Sequence, residues 1–174
     1  MISSIPLFLR YFDSVHRRAM RDVGGLPPEA DGWKPATGED ENAWTINKIV
    51  GHMAGSRLYF ASAFRGEGWV SPPAPDASGL GKWLPVLEDS ASEFQKLLAE
   101  APDDWLQRRV QMIDTDGSLA GWRVLAMMVE HDIHHRSQLT TYAGLNGWPV
   151  HDIFNRAAET IGERQAEQLR KYRK

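Results

Sequence analysis

The chain has 174 residues, 20 basic and 23 acidic, for a formal charge of −3, and it contains no cysteine. That composition excludes a disulfide scaffold, a thiolate metal site, an iron–sulfur cluster and a cysteine nucleophile, so any metal must be held by His, Asp or Glu. The charge gives no footprint for nucleic acid, and no apolar run approaches the roughly 20 residues that cross a bilayer.

Residues 3–22 predict a first helix, because Ile5, Phe8, Phe12, Val15 and Ala19 recur at steps of three and four. His16 falls at the edge of that stripe and reads as a surface histidine, as does His151. Gly24, Gly25, Pro27 and Pro28 end the helix, and a long connection with Trp33 and the acidic run Glu39-Asp40-Glu41 leads to Ala43. A connection of that length is expected to pack over something or to shape a site. Thr45 caps a second helix to about Phe64, with His52 at its middle and Gly51, Ala54 and Gly55 allowing close helix contact.

The Pro- and Gly-rich stretch 66–81 reads as irregular surface. A third helix is expected over about 80–100, its start left open between Gly79 and Leu84 by the awkward Pro85. Residues 105–117 alternate weakly and end in the turn signal Asp116-Gly117, but no strong strand partner follows, so a sheet is not expected. Ser118 is the expected cap of a fourth helix reaching Tyr142 or Ala143; its first half is apolar almost all round, which places it inside a bundle. A fifth helix is expected from Asp152 to about Tyr172. The whole reads as an all-α four-helix bundle with an additional C-terminal helix, one domain over residues 1–174. No basic region precedes the first apolar residues, so a cytoplasmic location is the expectation.

The chemistry concentrates in the fourth helix, where His131, His134 and His135 lie within five residues. At about 100° per residue, His131 and His135 are about 40° apart and one turn along, so both rings aim at one place. An unpaired imidazole is disfavoured in such apolar surroundings, and a metal resolves the conflict by binding the neutral ring. His52 is the remaining histidine well inside an apolar helix, so the expected site is one divalent ion held by His52, His131 and His135 with a position left open. His134 is expected to hydrogen-bond a neighbour. Gln138, one turn beyond His135, is placed to orient it, and Ser56 or Asn47 to do the same for His52. Glu130, Asp132 and Arg136 read as an ion-pair network between helices.

Two segments, Trp44–Met53 and Met128–Leu139, resemble the DinB-like superfamily of YfiT-related metalloenzymes, and the resemblance extends over nearly the whole chain. Ser137 stands where many relatives carry Gly, a departure that bears on packing more than on ligands. The resemblance implies a four-helix bundle, usually a homodimer, whose three histidines bind nickel, zinc or a similar divalent ion, with iron or manganese also open. Carried over residue by residue, the ligands are again His52, His131 and His135. Some relatives transfer or isomerise with bacillithiol, mycothiol or glutathione. The expected function is therefore a metal-dependent thiol transferase acting on a small molecule, with Arg136 or a loop cation holding a carboxylated thiol. The alternatives are a metal-dependent hydrolase with the same ligands and a non-catalytic metal-binding stress-response dimer. DNA contact is not expected.

Overall fold

In the computed structural model, residues 2–152 and 158–172 are described, and they form four long helices, a small hairpin and a C-terminal helix. Helix α1 spans Ile5–Gly24, α2 Ile46–Arg65, α3 Leu80–Ala99, α4 Gly121–Leu145 and α5 Ala158–Tyr172. The starts are set locally: Ser4 Oγ accepts from the amide of Leu7 at α1, and Thr45 Oγ1 accepts from the amide of Lys48 at α2. Gly66 closes α2 with φ +84°, a left-handed conformation that a side chain would resist. The start of α3, open from sequence, lies at Leu80 with Pro85 inside the helix. The expected start of α5 at Asp152 adjoins residues 153–157, outside the described residues, and nothing in Ala158–Tyr172 is buried. No helix among the described residues is long and apolar enough to cross a membrane.

Helices α1 and α2 each pack against both α3 and α4, so α1 and α2 lie diagonally across the bundle, as do α3 and α4. Diagonal crossings need long connections, which accounts for the extended segment between α1 and α2 and for the hairpin between α3 and α4. The apolar faces meet in two layers. One is built on Phe8, Phe12, Phe60, Phe64, Phe94 and Met128, the other on Ile46, Ile49, Met53, Trp83, Leu87 and Leu139. Between them, one on each of α1 to α4, sits a polar level: His16, Arg57, Ser90 and Asp132, all buried.

Arg57 is the centre of that level. Its Nε and Nη2 donate to Asp132 Oδ2 at 3.1 and 2.9 Å, and its Nη1 donates to the Leu87 carbonyl at 2.7 Å and to Ser90 Oγ at 3.0 Å. Its guanidinium also lies 5.5 Å from the Phe12 ring centroid, so one side chain touches all four helices. His16, expected at the surface, is buried instead, its Nε2 3.0 Å from Glu88 Oε2. The period of α1 left it at the stripe's edge, but α3 packs against that edge and closes over it.

A sheet exists, against expectation. Strand β1 (Arg109–Gln111) pairs antiparallel with β2 (Ser118–Ala120). Ser118 is thus a strand residue rather than a helix cap, its Oγ accepting from Arg109 Nε at 3.0 Å, and α4 begins three residues later. Two three-residue strands carry too little alternation to be read in advance, and the partner residues were absorbed into the apolar run of α4.

Gly121 follows because the chain enters α4 in contact with its neighbours: a Cβ there would meet the Trp105 carbonyl oxygen and come within 2.9 Å of Phe64 Cε2. A backbone oxygen cannot swing aside, so Gly121→Ala is expected to cost about 2 kcal/mol as overpacking. Urea denaturation of the metal-free protein checks this, and an unchanged midpoint would refute it.

Candidate metal centre

His52 comes from the middle of α2, and His131 and His135 from successive turns of α4, which lies beside α2. Their rings converge. His131 Nε2 is 2.8 Å from His52 Nε2 and 3.2 Å from His135 Nε2. Nitrogens about 2.0–2.1 Å from a tetrahedral ion lie about 3.3 Å from one another, so these two separations need to open by only a few tenths of an ångström, and all three donors lie within 4.8 Å of one another.

Hydrogen bonding settles which nitrogen of His135 faces the centre. Gln138 Nε2 donates to the Glu41 carbonyl oxygen at 2.6 Å, which can only accept, and to Tyr142 Oη at 3.1 Å. Tyr142 Oη in turn donates to the Asn42 carbonyl at 2.7 Å. The amide oxygen of Gln138 therefore faces His135 Nδ1, 3.0 Å away, and accepts its proton. His135 Nε2 is left with a bare lone pair, and the Glu41 Oε1 that faces it at 3.4 Å is also an acceptor. Two acceptors in contact repel unless a cation or a proton lies between them.

A proton is disfavoured there. Burial, then the neighbouring ring His135, then His52, push the His131 pKa down to about 3. Burial first, then the same kind of ring–ring repulsion, lowers His52, and burial lowers His135 against the opposing bond from Gln138. The rings are thus neutral near pH 7, the form that donates to a metal. Three neutral imidazoles and a carboxylate at one mouth are chemically suited to a divalent cation.

The same shifts set the pH behaviour of the metal-free protein. The unfolded chain protonates these histidines near 6.5, whereas the folded chain resists until lower pH, near 3 for His131. Below 6.5 the unfolded state binds more protons, so stability falls as pH falls through this window and is insensitive to these groups above it. The urea midpoint is therefore expected to be lower at pH 5 than at pH 7.5; equal midpoints would contradict it.

The segment before α2 builds the roof. Asp40 Oδ1 caps a short 3₁₀ turn, Glu41–Ala43, by accepting from the Asn42 amide. Trp44 then lies parallel to His135 at 6.3 Å between ring centroids and edge-on to His52 at 5.0 Å. The long connection before α2 was expected to pack over something or shape a site; the participation of Glu41 itself was not visible, because a single carboxylate in a loop carries no spacing signal. Below the roof opens a cavity of about 470 Å³, lined by Glu41, His52 and His131 together with Ser56, Tyr59 and Phe60.

Other expected residues divide. Ser56 Oγ is 3.5 Å from His52 Nε2, whereas Asn47 ties down the preceding loop by accepting from the Gly32 amide at 2.9 Å. Gly55 meets nothing a Cβ would touch and lines the cavity rather than a helix contact, while Gly51 does approach the Pro75 carbonyl. Glu130 pairs with Arg123 and Asp132 with Arg57. Arg136 is turned away from the centre, its Nε 3.6 Å from Asp22 Oδ2, so it does not reach a ligand there. A position next to His135 in sequence is about 100° around the helix, and that rotation carries Arg136 to the α1 side. His134 is exposed, its Nε2 3.6 Å from Glu41 Oε1.

The fold has known counterparts. The chain is similar to a DinB-like protein from Bacillus cereus (17% identity, 87% of this chain and 99% of that one, TM-score 0.71). It is similar to a DinB-like protein from Bacillus subtilis (17% identity, 82% and 96% coverage, TM-score 0.62). It is also similar to YfiT from Bacillus subtilis, described as a probable metal-dependent hydrolase with an unusual four-helix bundle topology (18% identity, 83% and 89% coverage, TM-score 0.61). No curated protein matches the chain. At these identities the structures establish the shared fold, and the DinB family model, which matches residues 1–161, establishes the kinship: the chain belongs to the DinB family.

Proposed function

We propose that His52, His131 and His135 hold one divalent cation, nickel or zinc as the family resemblance implies, and that the chain is a hydrolase of a small molecule bound in the adjoining cavity. The observation that carries this reading is the convergence of three Nε2 atoms at 2.8 and 3.2 Å beside a lone pair of His135 that faces a carboxylate. When bound, such an ion lowers the pKa of a water or thiol at its open position. The chain's own groups do the rest. Gln138 holds the His135 tautomer, Glu41 Oε1 is placed to accept a proton at the mouth, Trp44 shields one side from solvent, and Tyr59 and Phe60 offer apolar walls to a substrate.

Water is favoured over a carboxylated thiol by charge. Among the described residues no Lys or Arg lines the cavity, and the one charged group that does is Glu41. Glutathione or bacillithiol would thus bring carboxylates to an acidic wall. The description of YfiT as a probable metal-dependent hydrolase agrees with this choice. Thiol transfer stands as the second reading, favoured by a cavity whose volume of about 470 Å³ suits an organic thiol adduct.

Cobalt-substituted protein separates the two. Chelator-sensitive release of product from a panel of small esters and amides, with a visible spectrum indifferent to added thiols, is the expected result. A spectrum shifted by a thiol, with no hydrolysis, would transfer the assignment to the second reading. The Gln138→Ala variant is expected to bind the metal about 10- to 100-fold more weakly, because His135 loses the partner that fixes its tautomer. Competition with a chromogenic chelator measures it, and undiminished affinity would count against the orienting role.

A further inference from the structure

Glu41, His134 and His135 form a second group of donors within 4.8 Å of one another, with Glu41 Oε1 3.6 Å from His134 Nε2 and 3.4 Å from His135 Nε2, and it shares His135 with the three-histidine centre. The two groups differ in access. The side chains of Glu41 and His134 are 48% and 60% exposed, whereas that of His135 is fully buried. They also cannot be filled together through the shared ring. His135 Nδ1 is committed to Gln138, so the single lone pair on Nε2 serves one ion at a time. The outer pair is held in register with the inner one: Gln138, which orients His135, donates its other end to the Glu41 backbone oxygen, and Tyr142 pins the next carbonyl, that of Asn42. A carboxylate at the surface attracts a hydrated cation, and an adjacent imidazole replaces one of its waters before the buried ligands are reached.

We infer that Glu41 and His134 form a capture site for the divalent cation, which binds Glu41, His134 and His135 first and then passes inward to His52 and His131 with His135 as the ligand common to both. The inference rests on the reading of the three histidines as a metal centre. It assigns a purpose to His134 and to the loop 40–44 that the final ligand set does not need. A capture site on the route in is also on the route out, so it governs both rates and leaves the equilibrium alone.

The test is stopped-flow mixing of metal-free full-length protein with Zn²⁺ or Co²⁺, with dissociation into excess chelator followed separately. Glu41→Gln keeps the side-chain length and the backbone bond from Gln138, and His134→Gln removes the imidazole without touching the inner trio. The double variant is expected to slow association and dissociation by a similar factor, about tenfold, with Kd within about threefold of the parent and one ion per chain at saturation. Unchanged rates would overturn the inference. So would weaker affinity arising in dissociation alone, which makes Glu41 a permanent ligand. An effect confined to Glu41→Gln and abolished by salt also overturns it, since that is charge steering without capture. Two ions bound per chain would overturn it as well, because the groups would then not share His135. A parent protein that binds no ion sinks the metal centre itself, a result distinct from all of these.

Discussion

His131→Ala is expected to weaken Zn²⁺ or Ni²⁺ binding by about 4 kcal/mol, close to a thousandfold, since a site worth about 10–16 kcal/mol over three protein ligands loses one of them. His131 is the residue to change because its Nε2 is the one in contact with both of the others, at 2.8 Å from His52 and 3.2 Å from His135. The fold does not depend on it. Its Nδ1 is buried without a hydrogen-bond partner, and its ring is only partly buried, packed edge-on to Phe60. The metal-free variant is therefore expected to unfold at about the parent's urea midpoint at pH 7.5, so a lost ion is not mistaken for a lost structure. His134→Ala should keep the parent's Kd. Titration against a competing chelator reads both, and a His131→Ala protein that binds as tightly as the parent would dissolve the three-histidine assignment.

The largest effect on stability is expected from Arg57→Met, a loss of about 3–5 kcal/mol, because the change strands the Asp132 carboxylate in the bundle interior. Both partners are fully buried, and Asp132 Oδ1 already lacks a hydrogen-bond partner, so nothing nearby takes over. The Leu87 carbonyl and Ser90 Oγ lose the donor that ties α3 to α2, although Ser90 Oγ still donates to Leu87 at 3.0 Å. Replacing both charges, Arg57→Met with Asp132→Leu, removes the stranded ion and is expected to restore most of the stability, since an apolar pair of similar volume suits an interior. Equilibrium unfolding of the single and double variants measures the coupling. A double variant no better than Arg57→Met would show that the guanidinium stabilises through α3 and Phe12 and not through its pairing with Asp132.

Arg57 also shows why part of the structure escaped a linear reading. Within α2 it sits among apolar residues like any snorkelling cation, and its four-helix role exists only once Phe12, Leu87, Ser90 and Asp132 arrive from elsewhere. Glu41 and Trp44 are similar: each lies in a loop with no period to assign a direction, and each gains its place through Gln138, Tyr142 and the rings below. The hairpin Arg109–Ala120 was obscured by brevity, and Arg136 by a neighbour in sequence that points to another helix.

What could be read along the chain was whatever repeats with the pitch of a helix. The stripe from Ile5 to Ala19, the cap at Thr45, the shared direction of His131 and His135, and the reach of Gln138 back to His135 are all local, fixed within one or two turns. Packing alone decided the diagonal arrangement of the helices, the burial of His16, the meeting of Arg57 with Asp132, and the distance from His52 to His131, which are 79 residues apart in the chain. Dihedral preferences act between neighbours, whereas which faces touch depends on the free energy of burying all of them at once, and that is settled only in three dimensions.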